Sequence, residues 1–178
     1  MYSQVLARNT HYWVCIFMKL ALLGRDGVIN RALAGGVNHR TKLELIVGSI
    51  DAVAQLTKAG FRVIVVTHQP GISKGLFDLD ELEAINSEVT IKVEAAGGEI
   101  AAFFYCPHDE QDRCHCRPPE SGLLDAIEME FDCNTSEAVF FYANQHEQEL
   151  AKIKGCKTYK CTGDFPLSLH VSNLISKT

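Results

Sequence analysis

The stretch FRVIVVTH, residues 61–68, constrains the fold more than any other. Val63, Ile64, Val65 and Val66 form a β-branched run with no polar alternation. A strand with one face in water alternates apolar and polar residues. An unbroken run suits a strand covered on both faces, as in a parallel sheet flanked by helices. KLALLG (19–24) repeats the theme before it, and EIAAFFYC (99–106), EAVFFYA (137–143) and CKTYKC (156–161) repeat it afterwards.

Helical patterns lie between these runs. Ile50, Val53, Ala54 and Leu56 share one face before Gly60, a natural helix stop. Asp78 with Glu81 reads as a capping box. It opens a run in which Leu82, Ile85, Val89, Val93 and Ala96 recur at helical spacing, up to the glycine pair 97–98. Pro119 suits the first turn of a helix carrying Leu123, Leu124 and Ile127. A shorter helix is expected around 146–154. The loop 30–42 reads as exposed, and the tail after Gly163 shows little pattern.

This alternation predicts an α/β fold, a single Rossmann-like three-layer domain with a parallel sheet and helices on both faces. The domain is expected over residues 18–178, with 1–17 as an upstream extension. In such sheets ligands gather at the carboxyl ends of the strands. The loops after Leu23, Val66, Tyr105 and Tyr142 are therefore where chemistry is expected.

Charge narrows the partners. The net charge is −5, and no Lys/Arg run or basic stripe speaks for nucleic acid. No apolar run reaches the ~18 residues that span a bilayer. The segment HYWVCIFMKLALLG is broken by Lys19 and followed by no small-residue cleavage site, which argues against a secretion signal. A cytoplasmic protein without membrane or nucleic-acid partners is expected, and a domain of this kind suits a monomer.

The densest chemical signal is YCPHDEQDRCHCRPP, residues 105–119. Cys106 and His108 are one residue apart, and so are Cys114 and Cys116. Three thiolates and an imidazole on one short loop suit tetrahedral zinc, and four protein ligands leave no open position, so the site reads as structural. His115 lies inside the cluster and competes with His108, but the Cys-x-His and Cys-x-Cys pairing favours His108. Cys15, Cys133, Cys156 and Cys161 read as small buried hydrophobes.

Taken in order, GRDGVIN, VIVVTHQPGISKGLF, YCPH…CHCRPP and a strand-end loop near 142 resemble the heptose-bisphosphate phosphatases of the haloacid dehalogenase superfamily. Their usual forms are DRDGVIN, VTNQSGIARGLF, CPH…CDCRKP and VGD. The GISKG turn and Gly122–Leu123 favour this family over the histidinol phosphatases, which share the Cys/His loop.

The resemblance implies an aspartate nucleophile that forms an aspartyl-phosphate, a second aspartate as general acid and base, a phosphate-holding threonine, an Arg–Lys pair and a Mg²⁺ site. On this chain the nucleophile position is Gly24. The acid/base position is Asp26. The phosphate-holding positions are Thr67, His68 and Gln69, with Pro70 where serine is usual. Arg117 matches the arginine, and Pro118 stands where lysine is usual. The metal-binding aspartate falls on Ala143 or Asn144, and the downstream acid on Glu147. The Mg²⁺ expected for the family therefore finds a compromised site. Two readings follow: a sugar-phosphate phosphatase with impaired catalysis, or a zinc-stabilised pseudo-phosphatase that binds a phosphorylated sugar or a protein partner.

Overall fold

A computed structural model describes residues 19–177 of the chain. The reading of 1–17 as an extension, with Cys15 and the start at Met18, lies outside them. Five strands and five helices alternate: β1 (Lys19–Gly24), α1 (Ser49–Lys58), β2 (Phe61–His68), α2 (Leu79–Ala95), β3 (Ala102–Cys106), α3 (Gly122–Phe131), β4 (Val139–Tyr142), α4 (Gln145–Ile153), β5 (Lys157–Lys160) and α5 (Leu167–Ile175). The strands form one parallel sheet in the order β3-β2-β1-β4-β5.

Two-residue alternation along the strands divides the core between the sheet faces. Ala21, Leu23, Val63, Val65 and Phe141 point to one face, under α1, α2 and α5. Leu20, Leu22, Ile64, Val66 and Phe140 point to the other, under α3 and α4. Both sides of the valine-rich β2 are thus covered, the condition that its composition demands. Burying a Leu or Ile fully contributes about 2 kcal/mol. Leu22, Leu23 and Ile64 are each 0% exposed, so this central block carries much of the fold's stability.

Helix ends follow local chemistry. The Asp78 carboxylate accepts the N–H of Glu81 at 2.9 Å and caps α2. The box is not reciprocal, because the Glu81 carboxylate accepts instead from the N–H of Arg40 at 2.6 Å. In the loop 30–42, Arg40–Lys42 form a 3-10 turn and Val37 is buried, so the loop is less exposed than its composition suggests. Pro119 does not open α3. The chain first turns through Glu120 N–H to Arg117 C=O, and the helix starts three residues later, at Gly122. A Cβ on Gly122 would lie 2.6 Å from the His115 carbonyl oxygen, so glycine lets α3 press its first turn against the Cys/His loop.

Among the described residues, no helix is long and apolar enough to cross a membrane.

Candidate functional site

Parallel order brings the carboxyl ends of β1, β2, β3 and β4 to one edge of the sheet. Gly24 lies beside Val66, and His68 pairs with Cys106. Beyond this edge is a cleft of about 380 Å³, lined by residues that include Asp26, Thr67, Gln69, Lys74, His146 and Glu147. His68, Pro118 and Asn144 also face it, while Gly35 and Gly36 bring the 30–42 loop to its rim.

Asp26 is held by its neighbours. Its Oδ1 accepts from Asn30 Nδ2 at 2.9 Å. Its Oδ2 accepts from Gln69 Nε2 at 2.7 Å, from Arg25 Nη2 at 3.2 Å and from the Thr67 hydroxyl at 3.4 Å. Arg25 is fully buried and also donates to Asn86 Oδ1 at 3.1 Å. Burial pulls the Arg25 guanidinium below its ordinary value, and Asp26 counteracts that as the matching charge. Gly27 shapes the turn. Its φ is +87°, and a Cβ there would meet Ala143 Cβ at 2.6 Å. Asp26, Thr67 and Gln69, read from sequence as one site, are therefore one hydrogen-bonded group.

His68 faces the cleft but is anchored outside it. Its Nε2–H donates to the His108 carbonyl at 2.8 Å, tying the end of β2 to the Cys/His loop. Burial lowers its pKa, against the effect of that bond. Arg117 points to Glu110, at 3.5 Å, and does not line the cleft.

At the nucleophile position, Gly24 leaves a space that another residue fills. A Cβ built on Gly24 would lie 2.9 Å from Oε2 and 3.0 Å from Oε1 of Glu147. Glu147, in the first turn of α4, is 5% exposed, and its Oε2 accepts the Ala143 N–H at 3.0 Å. Asn144 caps the helix by accepting the Glu147 N–H at 3.0 Å. Burial pushes the Glu147 carboxyl up to about 7, and the nearby Asp26 charge pushes the same way. Sequence reasoning placed Glu147 as the downstream acid but not in contact with Gly24. It missed Lys74 and His146 as cleft residues. The lysine inside the GISKG turn was the available signal, since that turn follows a strand end.

The Cys/His loop forms a second, compact cluster beside the cleft. The ligand atoms of Cys106, His108, Cys114 and Cys116 lie within 4.8 Å of one another, an arrangement that could hold a metal ion. Cys106 Sγ is 3.6 Å from Cys114 Sγ and 3.7 Å from His108 Nδ1, which is 3.2 Å from Cys116 Sγ. His115 stands outside the cluster, with Nε2 3.1 Å from Asp125 Oδ2. Of the other cysteines, Cys156 and Cys161 are buried, while Cys133 is half-buried.

No family model matches the chain. It is 37% identical over 140 residues to the D-glycero-beta-D-manno-heptose-1,7-bisphosphate 7-phosphatase of Pseudomonas putida, covering 79% of this chain and 80% of that protein. It is 40% identical over 120 residues to the enzyme of the same name from Neisseria meningitidis serogroup A, covering 67% of this chain and 64% of that one. The crystal structure of D,D-heptose 1,7-bisphosphate phosphatase from B. bronchiseptica, complexed with magnesium and phosphate, superposes with a TM-score of 0.84 at 27% identity, covering 90% of this chain and 100% of that one. With the strand-end cleft and the Cys/His loop, these likenesses make the chain a member of the D,D-heptose 1,7-bisphosphate phosphatase family of the haloacid dehalogenase superfamily.

Proposed function

We propose that this chain binds a phosphorylated sugar in the cleft and does not hydrolyse it by the aspartyl-phosphate route. The observation that carries this reading is Gly24 with its space filled by the Glu147 carboxyl. Attack on phosphorus needs a nucleophilic oxygen, and residue 24 has no side chain to supply one. Glu147 is no substitute, because its carboxyl is buried and bonded back to the Ala143 N–H. Asp26 keeps the acid/base position. A general acid without a nucleophile leaves most of the rate enhancement unrealised, because such groups act as a unit. Pro118, in place of the usual lysine, removes a cation from the cleft wall.

The metal of the Cys/His loop is zinc in this proposal. Zn–S bonds of ~2.3 Å in a tetrahedron place sulfurs ~3.8 Å apart. The 3.6 Å separation of Cys106 and Cys114 Sγ suits that edge. Zinc held by Cys106, His108, Cys114 and Cys116 would cross-link the end of β3 to the start of α3, with no open position for catalysis. The partner is a phosphorylated sugar, with neither nucleic acid nor membrane, and the chain acts as a cytoplasmic monomer. Its acidic balance, −5, supports the exclusion of nucleic acid.

The test is phosphate release from D-glycero-D-manno-heptose 1,7-bisphosphate in the presence of MgCl₂. Release at background level is expected. Sustained turnover by the unmodified chain would overturn the reading in favour of an Asp26-assisted attack by water.

A further inference from the structure

The charges in the cleft leave one cation without a partner. The Asp26 charge is met by Arg25 at 3.2 Å, and both its oxygens already accept protein donors. Glu147 has Asp26 facing it across the cleft floor, Cys161 behind it and His146 beside it in α4. Lys74, on the exposed turn after β2, faces the cleft and forms no salt bridge among the described residues.

The same residues do not suit Mg²⁺, the ion expected of the family. Mg²⁺ takes a near-octahedral set of oxygens at ~2.1 Å, anchored by one or two carboxylates. Gly24 and Ala143 offer no side-chain oxygen. Asn144 Oδ1 accepts the Glu147 N–H, and Asp26 is saturated by Asn30, Gln69, Thr67 and Arg25. Among the described residues, the Cys/His loop is the cluster whose ligand atoms converge, and its sulfurs suit a softer metal.

We propose that the cleft binds a phosphoryl group without a divalent cation, with Lys74 as its counter-charge and the Glu147 carboxyl lodged where the nucleophile would stand. The ligand class is a phosphomonoester dianion that is held and released unchanged. This deepens the non-hydrolysing reading above and rests on it. A metal that served hydrolysis would be held by enzyme carboxylates and would offset charge on the phosphate. Here one carboxylate position is empty, a second is filled by alanine, and the acid that faces the gap is buried and bonded to backbone. An added cation would find few free oxygens, and an incoming phosphate would meet a lone ammonium.

Calorimetric titration of the full chain with inorganic phosphate tests this, first in buffer freed of divalent cations by resin, then with millimolar MgCl₂. A chelator is avoided because it would strip the Cys/His loop. Binding is expected in both buffers, with Kd values within about twofold. Lys74→Met is expected to weaken binding about tenfold while the melting temperature stays put, since the side chain is exposed. Glu147→Gln, which keeps the volume, is expected to retain binding. Binding that requires MgCl₂, a Lys74→Met variant with unchanged affinity, or no binding in either buffer would each overturn the proposal. The phosphate-release assay separates the two ideas. Release together with metal-free binding sinks the non-hydrolysing reading, and with it the unchanged release of the ligand, but leaves the cation-free phosphate site standing. No release with binding that needs MgCl₂ sinks only the cation-free site.

Discussion

The Cys/His loop and the strand-end cleft share one edge of the sheet, yet they differ in how they match the resemblance read from the sequence. The loop is local: its four ligands fall within residues 106–116 and depend on one strand end. The cleft is assembled from β1, β2, α4 and the loop of 30–42, elements far apart in sequence. Every ligand position of the loop is intact. The cleft departs from the usual residues of the resemblance at Gly24, Pro118 and Ala143, and the Glu147 carboxyl fills the space beside Gly24. The difference fits the proposal above, in which the loop serves the fold and the cleft holds its ligand without turnover.

The sharpest way to break this comparison is to attack the intact half. Cys114→Ser combined with Cys116→Ser removes two of the four ligands. Metal analysis is expected to fall from about one zinc per chain to none, with a loss of several kcal/mol from thermal stability. A metal-free chain that melts as the parent does would deny the loop its structural role.

The next effect belongs to the altered half. Gly24→Asp restores the family residue, but its Cβ arrives 2.9 Å from a buried carboxylate oxygen. The Glu147 side chain must move, and two carboxyls then share one desolvated space. A cost of about 4 kcal/mol is expected in chemical denaturation. Adding Glu147→Ala should recover at least half of it, a coupling that a double-mutant cycle measures. If Gly24→Asp were neutral, Glu147 would not occupy the nucleophile's place. Phosphatase repair by Gly24→Asp alone is therefore expected to fail.

The same carboxyl gives a pH signature. Glu147 titrates near 4.5 when unfolded and about 7 when folded. Between those values the folded chain binds more protons than the unfolded one, so stability falls as pH rises. The contribution is fully present below 4.5, declines through the window and is lost above 7. A shift of this size corresponds to about 3 kcal/mol. Glu147→Gln should flatten denaturation midpoints between pH 5 and 8, a window chosen to bracket ~7. An unchanged slope would place the carboxyl in water.

Some of this was legible in the sequence, and some depended on tertiary contacts. Strands β1 and β2 fall on the expected stretches, 19–24 and 61–68, because the continuous apolar runs at their centres leave them little choice. The α5 helix was not legible. Phe165, Leu167, Leu169 and Val171 alternate with a period of two, yet only Leu167 and Val171, one helical turn apart, are buried. The clustering of Cys106, His108, Cys114 and Cys116 could be read because their spacing is short. The contact of Glu147 with Gly24 could not, since 123 positions separate them and only the pairing of β1 with β4, Leu23 beside Phe141, brings the two ends together.

The smallest expected effect decides between the two histidines of the loop. His108 Nδ1 sits among the sulfurs, 3.2 Å from Cys116. The His115 ring is 69% exposed and turned toward Asp125 and Glu120. Asp125 has stronger company. Its pKa is held down to about 2, first by the Ser121 hydroxyl and then by Lys154, with His115 contributing less. Removing His115 therefore takes away one exposed contact and leaves the carboxylate paired. His115→Ala should keep about one zinc per chain and cost under about 1 kcal/mol. His108→Ala should release the metal. Metal loss in the first variant and retention in the second would reassign the fourth ligand to His115. It would also mean that the intact half rearranges on metal binding, since the His115 ring now faces Asp125 and Glu120.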